Sequence, residues 1–190
     1  RLQPSSLEEV ALTWRERHAI ASDVARGLTF LHTVADPRVI HQDVKPANIL
    51  LGAAPGGKSG GGIVAKLADF GISRVVLELA ATQAKSYVKT QHAAGTPIYM
   101  PMELHRSGRV SVKVDAYAFG IVLMEMLTGR PPRDPETKEP LADAVDRQLR
   151  DPKRHMREFV DARAGDWSAK AWHALATVAR GCSEAKVIDR

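Results

Sequence analysis

Cysteine is almost missing: Cys182 stands alone in 190 residues, which excludes an internal disulfide and fits a reducing compartment. Aromatic residues make up only 5% of the chain, and the densest basic stretch, 147–157, has none interleaved with its Lys and Arg. Nucleic acid is therefore not an expected partner. Charge of one sign is modest, a net +5, which solvated surface Lys and Arg account for. No apolar run is long enough to cross a bilayer, no signal peptide is visible and no internal repeat stands out. What remains is 44% hydrophobic and 26% charged, a balance for one globular domain with a real core. The first residue is Arg, and the expectation is a piece of a longer chain.

Among what is present, Ile20, Val24, Leu28 and Leu31 recur at helical spacing and predict a helix ending near His32. Asp36-Pro37 predicts a turn, and Val39-Ile40 is a short apolar pair. Asn48-Ile49-Leu50-Leu51 predicts a short strand and 63–68 a second one. Between them lies a glycine-rich stretch, 52–62, in which Gly52-Ala-Ala-Pro-Gly-Gly57-Lys58-Ser59 fits the P-loop pattern. A P-loop needs a helix directly after it and a crossover of about a dozen residues or more before the next parallel strand. Only Gly60, Gly61 and Gly62 separate Ser59 from the second strand. The two strands are expected to pair as an antiparallel hairpin with this stretch as its tip, and the P-loop reading is rejected.

The rest reads as helical. Residues 115–128 are apolar on nearly every face yet too few to span a membrane, which predicts a buried central helix. Gly129 suits its C-terminal cap and Pro131-Pro132 prevents its resumption. Two further helices are expected over 141–149 and 168–181.

Polar side chains of a particular kind gather where strands meet loops: His41-Gln42-Asp43-Val44-Lys45-Pro46-Ala47-Asn48 and Asp69-Phe70-Gly71. A carboxylate can take a proton from a hydroxyl. A second carboxylate and an amide oxygen are hard ligands that suit Mg²⁺. A lysine two residues from the first carboxylate can neutralise charge on a moving phosphoryl group. Singly, Asp43 reads as a helix cap, Asn48 as a turn residue and Asp69 as a strand-end turn former. Their joint occurrence at this spacing outweighs those readings and supplies the parts for phosphoryl transfer.

These segments resemble the catalytic loop and metal-binding motif of eukaryotic protein kinases. The likeness extends through Gly95-Thr96-Pro97-Ile98-Tyr99-Met100, Glu103, and 115–120, to Cys182 and Arg190. It points to the Ser/Thr type, in the receptor-like and tyrosine-kinase-like groups. The resemblance implies a mainly α fold, the large C-terminal lobe of a kinase: a helical bundle around a buried central helix, with a short β-hairpin carrying the active site. It implies that Asp43 orients the substrate hydroxyl and accepts its proton, and that Lys45 contacts the γ-phosphate of ATP. Asn48 and Asp69 would hold Mg²⁺, and Leu50 would lie under the adenine. Phe70 and His41 would stack, and Thr96 would bond near Asp43 and Lys45. Asp115 would cap backbone amides of the catalytic loop, and Arg190 would pair with Glu103. The implied partners are ATP and protein substrates, in the cytoplasm or on the cytoplasmic side of a membrane receptor.

The departures are specific. Gln42 stands where most of the family has an Arg that grips an activation-loop phosphate, and neutral Gln cannot do so. Candidate acceptors are Thr82, Ser86, Tyr87 and Thr90. Pro101-Met102-Glu103 puts the proline one position early, and Ser183 and Val187 replace the usual Trp and Pro. Neither a phosphate-covering glycine-rich loop nor a Val-Ala-Ile-Lys strand precedes the catalytic loop. Residues 1–190 are thus expected to be a partial kinase domain without its small N-terminal lobe. The main expectation is transfer of the ATP γ-phosphate to Ser/Thr hydroxyls; the alternative is a pseudokinase-like lobe that scaffolds partners.

Overall fold

The computed structural model describes residues 11–53, 62–76, 88–89, 95–151 and 159–183. Helix α1 (Trp14–Thr29) opens on a capping box: the Thr13 hydroxyl accepts from the Glu16 amide at 3.3 Å while the Glu16 carboxylate accepts from the Thr13 amide at 2.8 Å. Each takes up an amide that the first turn leaves without a partner. Ile20, Val24 and Leu28 are buried as their spacing requires, and the helical run ends close to His32, the α-helix itself at Thr29. Its axis continues as a wider π turn over Phe30–Val34, which leaves Leu31 only half-buried. The turn at Asp36-Pro37, whose peptide bond is cis, leads into strand β1 (Arg38–Ile40).

Strands β2 (Ile49–Ala53) and β3 (Ile63–Leu67) form the antiparallel hairpin, in register from Ile49 opposite Leu67 to Ala53 opposite Ile63. This direction of pairing excludes a P-loop crossover between them. Lys58 and Ser59 lie outside the described residues. Asn48 is not the first strand residue: it closes a 3₁₀ turn over Pro46–Asn48. Three short strands complete the β structure: β4 (Arg74–Val76) pairs with β1, and β5 (Val88–Lys89) with β6 (Arg109–Val110).

Helix α2 (Met102–Ser107) begins at Pro101, the early proline, which serves as its N-cap residue. Helix α3 (Val112–Thr128) is the predicted central helix, begun one turn sooner because Ser111 caps it by accepting from the Lys113 amide. Phe119, Ile121, Val122, Leu123, Met124 and Leu127 are all buried, each worth about 1.5–3 kcal/mol of transfer free energy. Gly129 ends α3 at φ 64°, the left-handed conformation glycine accepts readily. Helices α4 (Leu141–Arg150) and α5 (Ala169–Ser183) confirm the two remaining expectations. The architecture is mainly α, with α1, α4 and α5 around α3 and the β2–β3 hairpin laid against α1. No described helix is long and apolar enough to cross a membrane.

An ion pair, Arg17 with Asp161, is buried inside this bundle. The Arg17 guanidinium donates to the Leu12 carbonyl, the Met126 carbonyl and Asp161, at 2.8, 2.8 and 2.7 Å. It thereby ties the start of α1 to the end of α3. A Cβ on Gly129 would stand 2.5 Å from the Asp161 carboxylate, so the ion pair fixes that glycine as well. Burial raises the Asp161 carboxyl, but hydrogen bonds from Arg163 and Arg17 outweigh it and hold the pKa at about 2. Breaking one side of a buried pair strands the other, so Asp161→Ala should lower unfolding free energy by about 3 kcal/mol in chemical denaturation. Because the folded carboxyl titrates below its unfolded value, this contribution should be full above about pH 4 and fade as pH falls towards 2.

Candidate active site

The loop 41–48 runs from β1 to β2 across the N-terminal end of α3. Polar backbone taken out of water needs partners, and Asp115 of α3, fully buried, supplies them. Its Oδ2 accepts from the His41 amide at 2.8 Å and its Oδ1 from the Gln42 amide at 2.7 Å. His32 Nε2 lies 2.7 Å from the same Oδ2. Gln42 bends through φ 70°, a left-handed conformation that a non-glycine residue adopts only when its surroundings impose it. Asp115 thus accepts two successive backbone amides of the loop. Its partner His32, on the π turn, carries no signal in the spacing of apolar residues.

Asp43 is the centre of the cluster. Lys45 Nζ donates to Asp43 Oδ2 at 2.7 Å and to Thr96 Oγ1 at 2.8 Å. The Thr96 hydroxyl and amide donate to Asp43 Oδ1 at 2.8 and 3.1 Å. Asn48 Nδ2 donates to Asp43 Oδ2 at 2.9 Å and to the Asp43 carbonyl at 2.8 Å. Burial pushes the Asp43 carboxyl up, but the hydrogen bonds from Lys45, Thr96 and Asn48 and the Lys45 charge outweigh it. The net effect holds the carboxyl below the usual carboxylate range. Such a group is ionised at neutral pH and can accept from a substrate hydroxyl. Thr96 reaches it because Gly95, at φ 122°, passes so close that a Cβ there would lie 2.7 Å from the Gln42 carbonyl.

The second motif lies at the open end of the hairpin. The Ala68 amide donates to the Asn48 carbonyl at 2.9 Å, which sets Asp69 beside the loop that carries Asn48. Asp69 is exposed, at φ 65°. The His41 and Phe70 ring centroids lie 4.8 Å apart with their planes tilted by 56°, in contact and not stacked. His41 Nε2 is 3.0 Å from the Ala68 carbonyl and His41 Nδ1 accepts from the Asp43 amide at 3.3 Å, which puts the ring proton on Nε2. Leu50 and Phe70 are 59% and 47% exposed, an uncovered apolar face above the cluster. Glu103 belongs to α2; Arg190, and with it the expected pairing to Glu103, lies outside the described residues.

The spacing of residues also leaves one half-buried pair invisible. The Tyr99 hydroxyl donates to Glu125 of α3 at 3.0 Å, and Glu125 lines a cavity of about 680 Å³ together with Pro46, Ile49 and Met126. Burial pushes the Glu125 carboxyl up to about 7, the Tyr99 bond opposing it in part. Burial and the facing carboxylate raise the Tyr99 phenol in turn. A carboxyl raised on folding binds more protons in the native state, so it subtracts stability as pH rises from about 4.5 to 7. Glu125→Gln should remove that slope: its denaturation midpoint should gain on the wild type across this window and hold its lead above it.

The family model described as the protein kinase domain matches residues 2–179. The chain is 38% identical to the receptor protein kinase WSS1 of Oryza sativa subsp. japonica, over 95% of this chain and 19% of that protein. It is 36% identical to the U-box domain-containing protein 70 of the same plant, over 91% of this chain and 19% of that protein. With the receptor-like kinase TMK4 of Arabidopsis thaliana the identity is 47%, over 66% of this chain and 12% of that protein. The chain thus spans about a fifth or less of the length of these relatives. By its helical architecture, its loop geometry and the family match over residues 2–179, this chain belongs to the protein kinase domain family.

Proposed function

We propose that the protein transfers the γ-phosphate of ATP to Ser/Thr hydroxyls of protein substrates. The observation that carries this reading is the Asp43 carboxylate, held in place by Lys45, Thr96 and Asn48 at 2.7–3.1 Å. Phosphoryl transfer asks little covalent chemistry of a protein; it asks for positioning and for charge in the right place. Asp43 would receive the incoming hydroxyl and accept its proton as the new P–O bond forms. Lys45 would meet the γ-phosphate with its ammonium, and Thr96 would keep both groups aligned. Leu50 would support the adenine from below. The small lobe that would cover the nucleotide from above is a part we infer for the intact protein.

The donor set fits Mg²⁺. Asn48 spends its amide nitrogen on Asp43, so its amide oxygen is the atom it would lend a cation. Asp69 offers an exposed carboxylate nearby along the hairpin. Among the described residues no three His, Cys, Asp or Glu side chains gather into a cage. Two oxygen ligands completed by phosphates is the arrangement Mg²⁺ commonly takes. Bound there, the cation would neutralise charge on the phosphates. The lone thiol supports a cytoplasmic setting, free or on the inner side of a membrane receptor.

The test is transfer of radiolabelled phosphate from ATP to a basic protein by the intact protein. Phosphoserine and phosphothreonine are expected on hydrolysis of the product. Asp43→Asn should abolish transfer while Mg·ATP still binds, because Asp43 faces the hydroxyl and not the metal. Asp69→Asn should weaken Mg²⁺-dependent nucleotide binding and transfer together. Near-normal turnover by Asp43→Asn would overturn the assignment.

A further inference from the structure

Gln42 stands where three parts of the chain converge. It is 4% exposed. Its amide N–H is spent on Asp115. Its side-chain Nε2 donates to the carbonyl of Ile72, just after Asp69-Phe70-Gly71. Its own carbonyl lies against Gly95, whose Cβ, if present, would be 2.7 Å away. Residues 72 and 95 are the two ends of the segment that leads from the metal-binding motif to Thr96. Its neighbours fasten the same ends: the Ser73 hydroxyl donates to the His41 carbonyl at 3.2 Å, and the Thr96 amide to Asp43 at 3.1 Å. Strand pairing of β4 with β1 adds backbone bonds at the first end.

We propose that Gln42 is a positioning residue: its carboxamide fastens the start of this segment to the catalytic loop through Ile72, while its left-handed backbone seats the end of the segment at Gly95. The two described ends of the segment are then held beside Asp43 by hydrogen bonds from Gln42, Ser73 and Thr96. This rests on the phosphotransfer reading. The side-chain bond matters because the Ile72 carbonyl has Asp69 three residues before it, and a half-buried acceptor left without its donor loosens what it holds. Any charge placed at the carboxamide position would face the carboxylates of Asp115 on α3 and Asp43 on the loop, with Lys45 and the rings of His41 and His32 also close by in the network. The neutral amide donates there without adding to that crowd of charges.

The test compares Gln42→Met and Gln42→Glu with the wild type in the intact protein, after phosphatase treatment, as kcat ratios from pH 6 to 8. Gln42→Met keeps the shape and removes the donor; kcat should fall about tenfold at every pH, with the KM for ATP within about twofold. Gln42→Glu keeps the shape and donates to Ile72 only when its carboxyl is protonated. Its kcat relative to wild type should therefore rise by at least about threefold from pH 8 to pH 6. A merely space-filling role would leave that ratio flat. Wild-type kcat in Gln42→Met, or a flat ratio in Gln42→Glu, overturns the proposal. If one variant does not fold, as judged by thermal melting, the other decides. A wild type with no transferase activity at all would fail the phosphotransfer reading instead, and the two failures are distinct.

Discussion

The buried carboxylate of Asp115 is the constraint on which the site depends. It turns the first residues of the loop 41–48 onto the N-terminal end of α3 by accepting the amides of His41 and Gln42, with His32 as a third neighbour. Each amide is a donor that burial would otherwise strand, at about 1–3 kcal/mol apiece. A helix N-terminus also favours negative charge, so the carboxylate sits at the end of α3 that suits it. With the loop's first turn set, Asp43 faces Thr96, and Lys45 and Asn48 close on it from within the loop. The chemistry is therefore built upward from the core helix.

The rest of the molecule serves that placement. Arg17 and Asp161 lock α1 to the far end of α3. The β2–β3 hairpin leans on α1 through the Asp23 carboxylate, which accepts the Ala65 amide at 2.8 Å. Asn48 and Asp69, on either side of the hairpin's open end, inherit their spacing from the pairing of Ile49 with Leu67. Rigid elements thus fix the ends of the loops that carry the reactive groups.

Much of this was legible in the residues. The hairpin followed from three glycines that leave no room for a helix, and α3 from an apolar run greasy on every face. The grouping of Asp43, Lys45, Asn48 and Asp69 followed from motif order and Thr96 from the family resemblance; the structure joins Asp43, Lys45, Asn48 and Thr96 by hydrogen bonds and leaves Asp69 exposed. Other features were hidden for physical reasons. Strands of two or three residues, such as β4, β5 and β6, are too short to show alternation. Arg17 lies on a helix where a solvated arginine would look the same. The π turn at Phe30–Val34 breaks the spacing that marks a helix face. The contacts of His32 with Asp115 and of Tyr99 with Glu125 join residues 83 and 26 positions apart, beyond any local pattern.

The central claim is that Asp115 sets the catalytic loop, and the turnover of Asp115→Asn in the intact protein tests it most directly. An amide there would put a donor where two backbone N–H groups need acceptors. A displacement of the loop by about 1 Å is enough to cost ~10²-fold in rate. The account predicts a folded variant whose kcat falls by about that factor while Mg·ATP affinity changes little. Near-wild-type turnover in a folded Asp115→Asn would contradict it.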